Sequence, residues 1–208
     1  PLTVTDCHSR YVGRALLVAH KKDIIDYFMQ DPRVKQHAFS KAGAEKCHAC
    51  VEHHLETNPT HVTGAADLAN AYNEGDRSPM WDLIRNVPGL AGMLPYVVAI
   101  YGVFAWIVLE RATAGPLYIK NGVGYRQGCV LAALLFCLVL HVTLLEVAAL
   151  NPQLHINAFV DDANFSGPVT TVPAALAEHA GTYAILTAGA MNLDKYNIFS
   201  PRTSLTVV

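Results

Sequence analysis

Leu154-His155-Ile156-Asn157-Ala158-Phe159-Val160-Asp161-Asp162-Ala163-Asn164-Phe165 is an extended, largely apolar run interrupted by two adjacent aspartates. It reads as a hairpin with both carboxylates at its tip, because aspartate favours turns while the flanking residues suit buried strands. Two neighbouring negative charges in such a frame cost stability unless a cation offsets them. A third aspartate, Asp67, comes after His61 to Ala66, which reads as a short strand. An antiparallel sheet brings that strand end beside the hairpin tip. Each feature alone has a plainer explanation: a solvated turn, and an Asp67 that caps a helix beginning near Leu68.

The rest of the chain supplies helices around these strands. Val12, Leu16, Leu17, Ile24, Ile25 and Phe28 recur at helical spacing over residues 10 to 29, and Asp31-Pro32 ends that segment. A second helix is expected from Lys41 to Leu55, stopping before Asn58-Pro59. Ser78-Pro79 reads as a helix start with Ser as N-cap, and Pro88 interrupts the apolar stretch beyond it. Gly115 to Val123 reads as a pair of short strands and Gly128 to Leu150 as a long buried helix. Pro173 opens another helix, Gly189 closes it, and Asn197 to Ser200 suits a strand.

With 208 residues the chain is long enough for a sizeable core, and 52% hydrophobic against 15% charged residues argues against disorder. A net charge of −2 is low for a protein that grips nucleic acid, so any basic surface must be local or belong to missing parts. Five cysteines without regular spacing form no disulfide framework, and the expected compartment is reducing and intracellular. The start at Pro1 and the end at Thr206-Val207-Val208 suggest a fragment of something longer.

Clustered carboxylates suit phosphodiester synthesis, which uses two divalent ions roughly 3.5–4 Å apart, one at the attacking hydroxyl and one at the leaving pyrophosphate. Phe159-Val160-Asp161-Asp162 resembles the aromatic-x-Asp-Asp signature of reverse transcriptases. Further segments agree in order: Asp67-Leu68-Ala69-Asn70-Ala71-Tyr72-Asn73 with Asp76-Arg77, Gly124-Tyr125-Arg126-Gln127-Gly128-Cys129 with Leu134-Leu135-Phe136, and Gly189-x-x-Asn192-Leu193-x-Lys195. Pro1-Leu2 with Arg10 and Arg14 resembles the start of the fingers. Asn-Ala-Tyr-Asn after Asp67 and Asn192-x-x-Lys195 are similar to non-LTR retrotransposon enzymes. Leu140-His141 and Gly167-Pro168 resemble site-specific elements within that group.

That resemblance implies an α+β right-hand polymerase: fingers at roughly 1–60 and 110–125, palm at roughly 61–109 and 126–200 with an antiparallel sheet backed by helices, and a thumb after Pro201 that is missing. It implies an RNA-directed DNA polymerase that extends a DNA primer on an RNA template with deoxynucleoside triphosphates, as part of a larger polyprotein working in the nucleus at its insertion site. Asp67, Asp161 and Asp162 are the implied ligands for two Mg2+ or Mn2+ ions, helped by the Leu68 carbonyl. Tyr72 is the implied steric gate against a 2′-hydroxyl. Gln127 and Gly128 are placed at the templating and incoming nucleotides, Arg10 or Arg14 at the triphosphate, and Lys195 as general acid for pyrophosphate. The sequence departs from the family at Leu131-Ala132-Ala133, Asn164 and Glu74-Gly75, none of them a metal ligand.

Three other readings stand beside it. Residues 87 to 109 give 23 uncharged positions and residues 128 to 145 a second apolar stretch, as in a multi-pass membrane protein. Pro88, Gly89, Gly92, Pro95 and Gly102 break the first, so a buried helix, a turn near Gly102 and a strand is the simpler account, with no membrane. Cys47-x-x-Cys50 with His53 or His54 offers the beginnings of a zinc site but lacks ligands from a second segment. A catalytically inactive, nucleic-acid-binding relic keeps the fold and drops the chemistry.

Overall fold

A computed structural model describes residues 7–200 apart from 70, 71, 74, 103, 104, 110, 112, 127, 193 and 194. Pro1-Leu2, Gln127 and the stretch after Pro201 therefore lie outside the described residues. The helical spacing over residues 10 to 29 forms two helices rather than one, α1 (Cys7–Ala19) and α2 (Lys21–Met29), which bend at His20. α2 buries Ile24 and Phe28. Next in order are β1 (Val34–Gln36), α3 (Gly43–Thr57), β2 (His61–Ala66), β3 (Leu68–Ala69), α4 (Ser78–Asn86), a 3₁₀ turn at Ala91–Met93 and α5 (Leu94–Tyr101). Then come β4 (Ala105–Leu109), β5 (Leu117–Asn121), α6 (Ala132–Leu150), β6 (His155–Phe159), β7 (Asp162–Pro168), α7 (Val172–Thr187), β8 (Ala190–Met191) and β9 (Asn197–Phe199).

Five strands form one sheet in the order β1-β6-β7-β2-β9. β6 and β7 are the expected hairpin, with Phe159 opposite Asp162, so Val160 and Asp161 alone make the turn. β2 runs antiparallel to β7 with Ala66 opposite Ala163, which carries the end of β2 to the hairpin tip. The sheet is mixed, not antiparallel throughout: β1 runs parallel to β6, Val34 facing Ile156 and Gln36 facing Ala158. The long intervening chain, which includes α3 and α6, allows the crossover that parallel pairing needs.

Alternation along β7 sends successive side chains to two different layers. Phe165 is fully buried against α7, its ring 5.2 Å from His179, while Asn164 faces α3 and donates to Cys47 Sγ at 3.9 Å. Burying a phenylalanine in this way contributes about 1.5–3 kcal/mol. α6 packs on α7, where Thr143 Oγ1 meets His179 Nε2 at 3.1 Å. Residues 134 to 141 of α6 are all buried, so two full turns of this helix have no solvent face. α6 is also long and apolar enough to cross a membrane, yet most of it lies inside the fold. Residues 87 to 109 do not form one helix: they hold the 3₁₀ turn, α5 and β4, with Gly102 at the end of α5.

Several local expectations are corrected. Leu117 to Asn121 is a single strand whose partner is β4, because a five-residue pairing with Ala105–Leu109 outcompetes a hairpin confined to the glycine-broken 115–123 segment. Ser78 is the first residue of α4 rather than its cap, and Asp76 Oδ1 accepts from both the Ser78 amide (2.9 Å) and hydroxyl (3.0 Å). Ala188, at φ 54°, closes α7 instead of Gly189. Gly189 serves packing, since a Cβ there meets the Tyr183 ring at 2.8 Å. Leu68 begins a strand, not a helix, so Asp67 is not a helix cap.

Candidate active site

Asp67 sits between β2 and β3, where β3 pairs with β8 through Leu68 and Met191. The Asp67 carbonyl accepts the Asn192 amide at 2.9 Å, and its carboxylate meets Lys195 Nζ at 3.0 Å. The Asn192–Lys195 block thus hooks onto Asp67 by backbone and by charge. Lys195 is largely exposed and Asp67 about one-third exposed, so water screens the pair. Leu68 is buried.

Asp161 and Asp162 adjoin but serve different sides of the hairpin, Asp161 within the turn and Asp162 as the first residue of β7. Asp161 lies near Tyr72 and the buried Cys137 of α6, and its charge, after burial, helps hold both of those groups protonated. Asp162 lines a cavity of about 200 Å³ with Cys47, His48, Phe159 and Asn164 on the α3 side. Burial first, and then the charges of Asp161 and Asp67, push the Asp162 carboxyl above its ordinary value. All three carboxylates are therefore within electrostatic reach. Among the described residues, however, no three His, Cys, Asp or Glu side chains are gathered closely enough to hold a metal ion. Asp67 faces Lys195 and Asp162 turns toward α3, which departs from a shared three-aspartate ligand set. The donors are all oxygens, the chemistry that suits Mg2+ or Mn2+.

Tyr72 is half-buried, its ring stacked on Phe136 of α6 with centroids 4.9 Å apart. Its carbonyl accepts the Tyr125 amide at 2.5 Å, and Gly124 donates to the Gly75 carbonyl at 2.7 Å. The Gly124 loop thus lies directly on the segment after Asp67. Gly124 has φ +66° and a Cβ there falls 2.6 Å from the Tyr72 carbonyl oxygen, so only glycine fits without strain. Arg77, itself buried, holds the same loop: Nε donates to Gly124 O at 2.5 Å and a terminal nitrogen to Val123 O at 2.8 Å. Its guanidinium and that of Arg126 both lie over the Tyr101 ring, at 5.1 and 5.4 Å. Arg77 is therefore an anchor for the loop that leads to Gly128.

Gly128 is exposed at φ +94°. Arg10 and Arg14 are exposed on α1, which leans on Val130 through Gly13. Nothing in the sequence marks Gln36, yet its buried side chain reaches the hairpin turn and bonds both backbone groups of Val160 at 2.9 Å.

The zinc ligands do not assemble. Cys47 is buried beside Asn164 with its thiol pushed up to about 11 by burial. His54 joins His61 instead, Nε2 to Nδ1 at 3.0 Å, with the His155 ring 4.7 Å away. That cluster sits at the end of the sheet opposite the hairpin turn, where His61 and His155 begin their strands.

No protein-family model matches the chain, and no curated protein matches it. Solved structures do. Telomerase from Candida albicans, in complex with the TWJ fragment of telomeric RNA, superposes with a TM-score of 0.68 at 13% identity over 97% of this chain. The chain shares the fold of part of telomerase. Apo telomerase from Candida tropicalis gives 0.61 at 11% identity over 96% of the chain, and its form truncated from the C-terminal domain gives 0.59 at 13% over 97%. The chain spans only 36% to 41% of those proteins' lengths. At these identities the likeness is one of fold alone.

Proposed function

We propose that the chain is the fingers and palm of an RNA-directed DNA polymerase from a retrotransposon, adding deoxynucleotides to a primer 3′-hydroxyl on an RNA template. The observation that carries the reading is the register of β2 on β7, which brings Asp67 to the tip holding Asp161 and Asp162 within a fold shared with telomerase. Asp67 and Asp161 would be the principal metal-holding carboxylates, with the Leu68 carbonyl beside them. Asp162 adds negative charge from the α3 side. Magnesium held by these carboxylates would supply Lewis acidity toward the primer hydroxyl and charge neutralisation at the departing pyrophosphate.

The remaining roles belong to the chain's own side chains. Tyr72, backed by Phe136, presents a rigid ring beneath the incoming sugar and excludes a 2′-hydroxyl. Gln127 and Gly128 contact template and incoming nucleotide, and Arg10 or Arg14 pairs with the triphosphate. Lys195 holds the proton delivered to pyrophosphate, and its contact with Asp67 supports a place at the reacting centre.

A second reading, the same fold without the chemistry, draws on that ion pair, since Lys195 already offsets the Asp67 charge. Magnesium-dependent extension of a DNA primer on an RNA template separates the two. Extension by the wild-type protein that Asp161→Ala abolishes supports the polymerase; a folded wild-type protein that binds RNA and extends nothing supports the relic.

A further inference from the structure

Val160 is the weak point of the hairpin. It has φ 59°, in the left-handed region that a β-branched residue avoids, and it directly precedes Asp161. The turn contains no glycine to absorb that conformation. Strain of this kind persists only where neighbouring groups over-determine the backbone.

The principal groups come from the end of β1, beside a weak donation from Cys137 Sγ of α6 to the Val160 carbonyl at 3.9 Å. That strand ends at Gln36, opposite Ala158, so no strand backbone stands beside Val160. The Gln36 side chain fills the gap. Its Oε1 accepts the Val160 amide at 2.9 Å, and its Nε2 donates to the Val160 carbonyl at 2.9 Å. The Ala38 amide donates to the same Oε1 at 3.1 Å, which fixes the amide's orientation from a second side. A primary amide carries a donor and an acceptor as a peptide group does, so it completes the ladder where the strand has run out. Gln36 is 1% exposed, so its side of these bonds is shielded from solvent.

We propose that Gln36 is a positioning residue for catalysis: its amide holds Val160 in the left-handed conformation and thereby sets the direction of the Asp161 carboxylate. This rests on the polymerase reading for its catalytic consequence, while the clamp itself rests on geometry alone. The two residues are 124 positions apart, so this clamp on the turn that presents Asp161 depends on β1 lying against β6.

The test combines amide hydrogen exchange at Val160 with steady-state primer extension, in the wild-type chain, Gln36→Met, and Gln36→Met with Val160→Gly. Methionine keeps the length of the side chain and removes both hydrogen bonds. Exchange at Val160 accelerates roughly tenfold in Gln36→Met, while Ile156 and Phe165 within the strands stay protected. The kcat falls about 10–100-fold, as for a displaced catalytic group, with KM for nucleotide changed less than about threefold. Adding Val160→Gly recovers part of the kcat, because glycine tolerates the positive φ, a rescue that general loss of packing does not show. Unchanged protection and unchanged kcat in Gln36→Met overturn the proposal. If Gln36→Met does not fold, Gln36→Glu replaces it: the acceptor remains but a carboxylate opposes the Val160 carbonyl, and wild-type kcat in that variant also overturns the proposal. Faster exchange in Gln36→Met beside a wild-type chain that extends no primer refutes the polymerase reading and upholds the clamp.

Discussion

Replacing His141 with leucine should make the protein more stable, and more so in acid. His141 lies on α6 with no solvent exposure, between the edges of the Tyr27 and Phe28 rings at 5.4 and 5.2 Å, and neither ring nitrogen has a hydrogen-bond partner among the described residues. Leaving such groups unpaired costs roughly 1–3 kcal/mol, so His141→Leu gains about that much at pH 7. Burial pushes the imidazole down to about 4 from the ordinary 6.5, with Asp31 opposing the shift slightly. Because the folded value is the lower one, the unfolded chain takes up the proton first. The stability His141 permits is intact above pH 6.5 and is lost as pH falls toward 4. At pH 5 the linkage amounts to about 2 kcal/mol, against almost nothing at pH 7. Urea unfolding followed by circular dichroism at both pH values reads the difference directly. His54 and His179, pushed down to about 4 as well, steepen both proteins alike and cancel. A stability gap between wild type and variant that is the same at pH 5 and pH 7 refutes a neutral, buried His141.

Gly124→Ala forces a Cβ against the Tyr72 carbonyl at φ +66°, and it is expected to cost about 2–4 kcal/mol and lower Tm by about 5–15 °C in a thermal melt. Lys195→Met removes an exposed ion pair, so stability changes by less than about 1 kcal/mol. The magnesium concentration for half-maximal primer extension should fall because Asp67 no longer faces an ammonium, and a magnesium titration of extension checks this.

Local chemistry made much of this legible beforehand. β2, the β6–β7 hairpin, α3 and α7 carry their own signals: alternating or helical apolar spacing, and proline in the first turn of α7. Asp67 and the aspartate pair stand out because charge is costly in apolar frames. The start of α6 was less well marked, four residues after Gly128, since Gly128 itself takes φ +94° and cannot begin a helix. β4's pairing with β5 was hidden because partner choice between short strands depends on residues at both ends of the connecting loop.

The sequence by itself determined the type of the longer elements around the site and the fact that the three carboxylates lie at the ends of apolar runs, because propensity, punctuation and charge act over a few residues. Tertiary structure alone decided that β1 joins the sheet in parallel, that Asp161 and Asp162 serve opposite sides of the hairpin, and that Lys195 lies against Asp67. It also decided that Gln36, a polar residue in an unremarkable stretch, holds Val160 from 124 positions away. Such contacts leave no local trace: each depends on strand register and on which groups remain unpaired when a strand ends, and those are settled only when distant segments pack together.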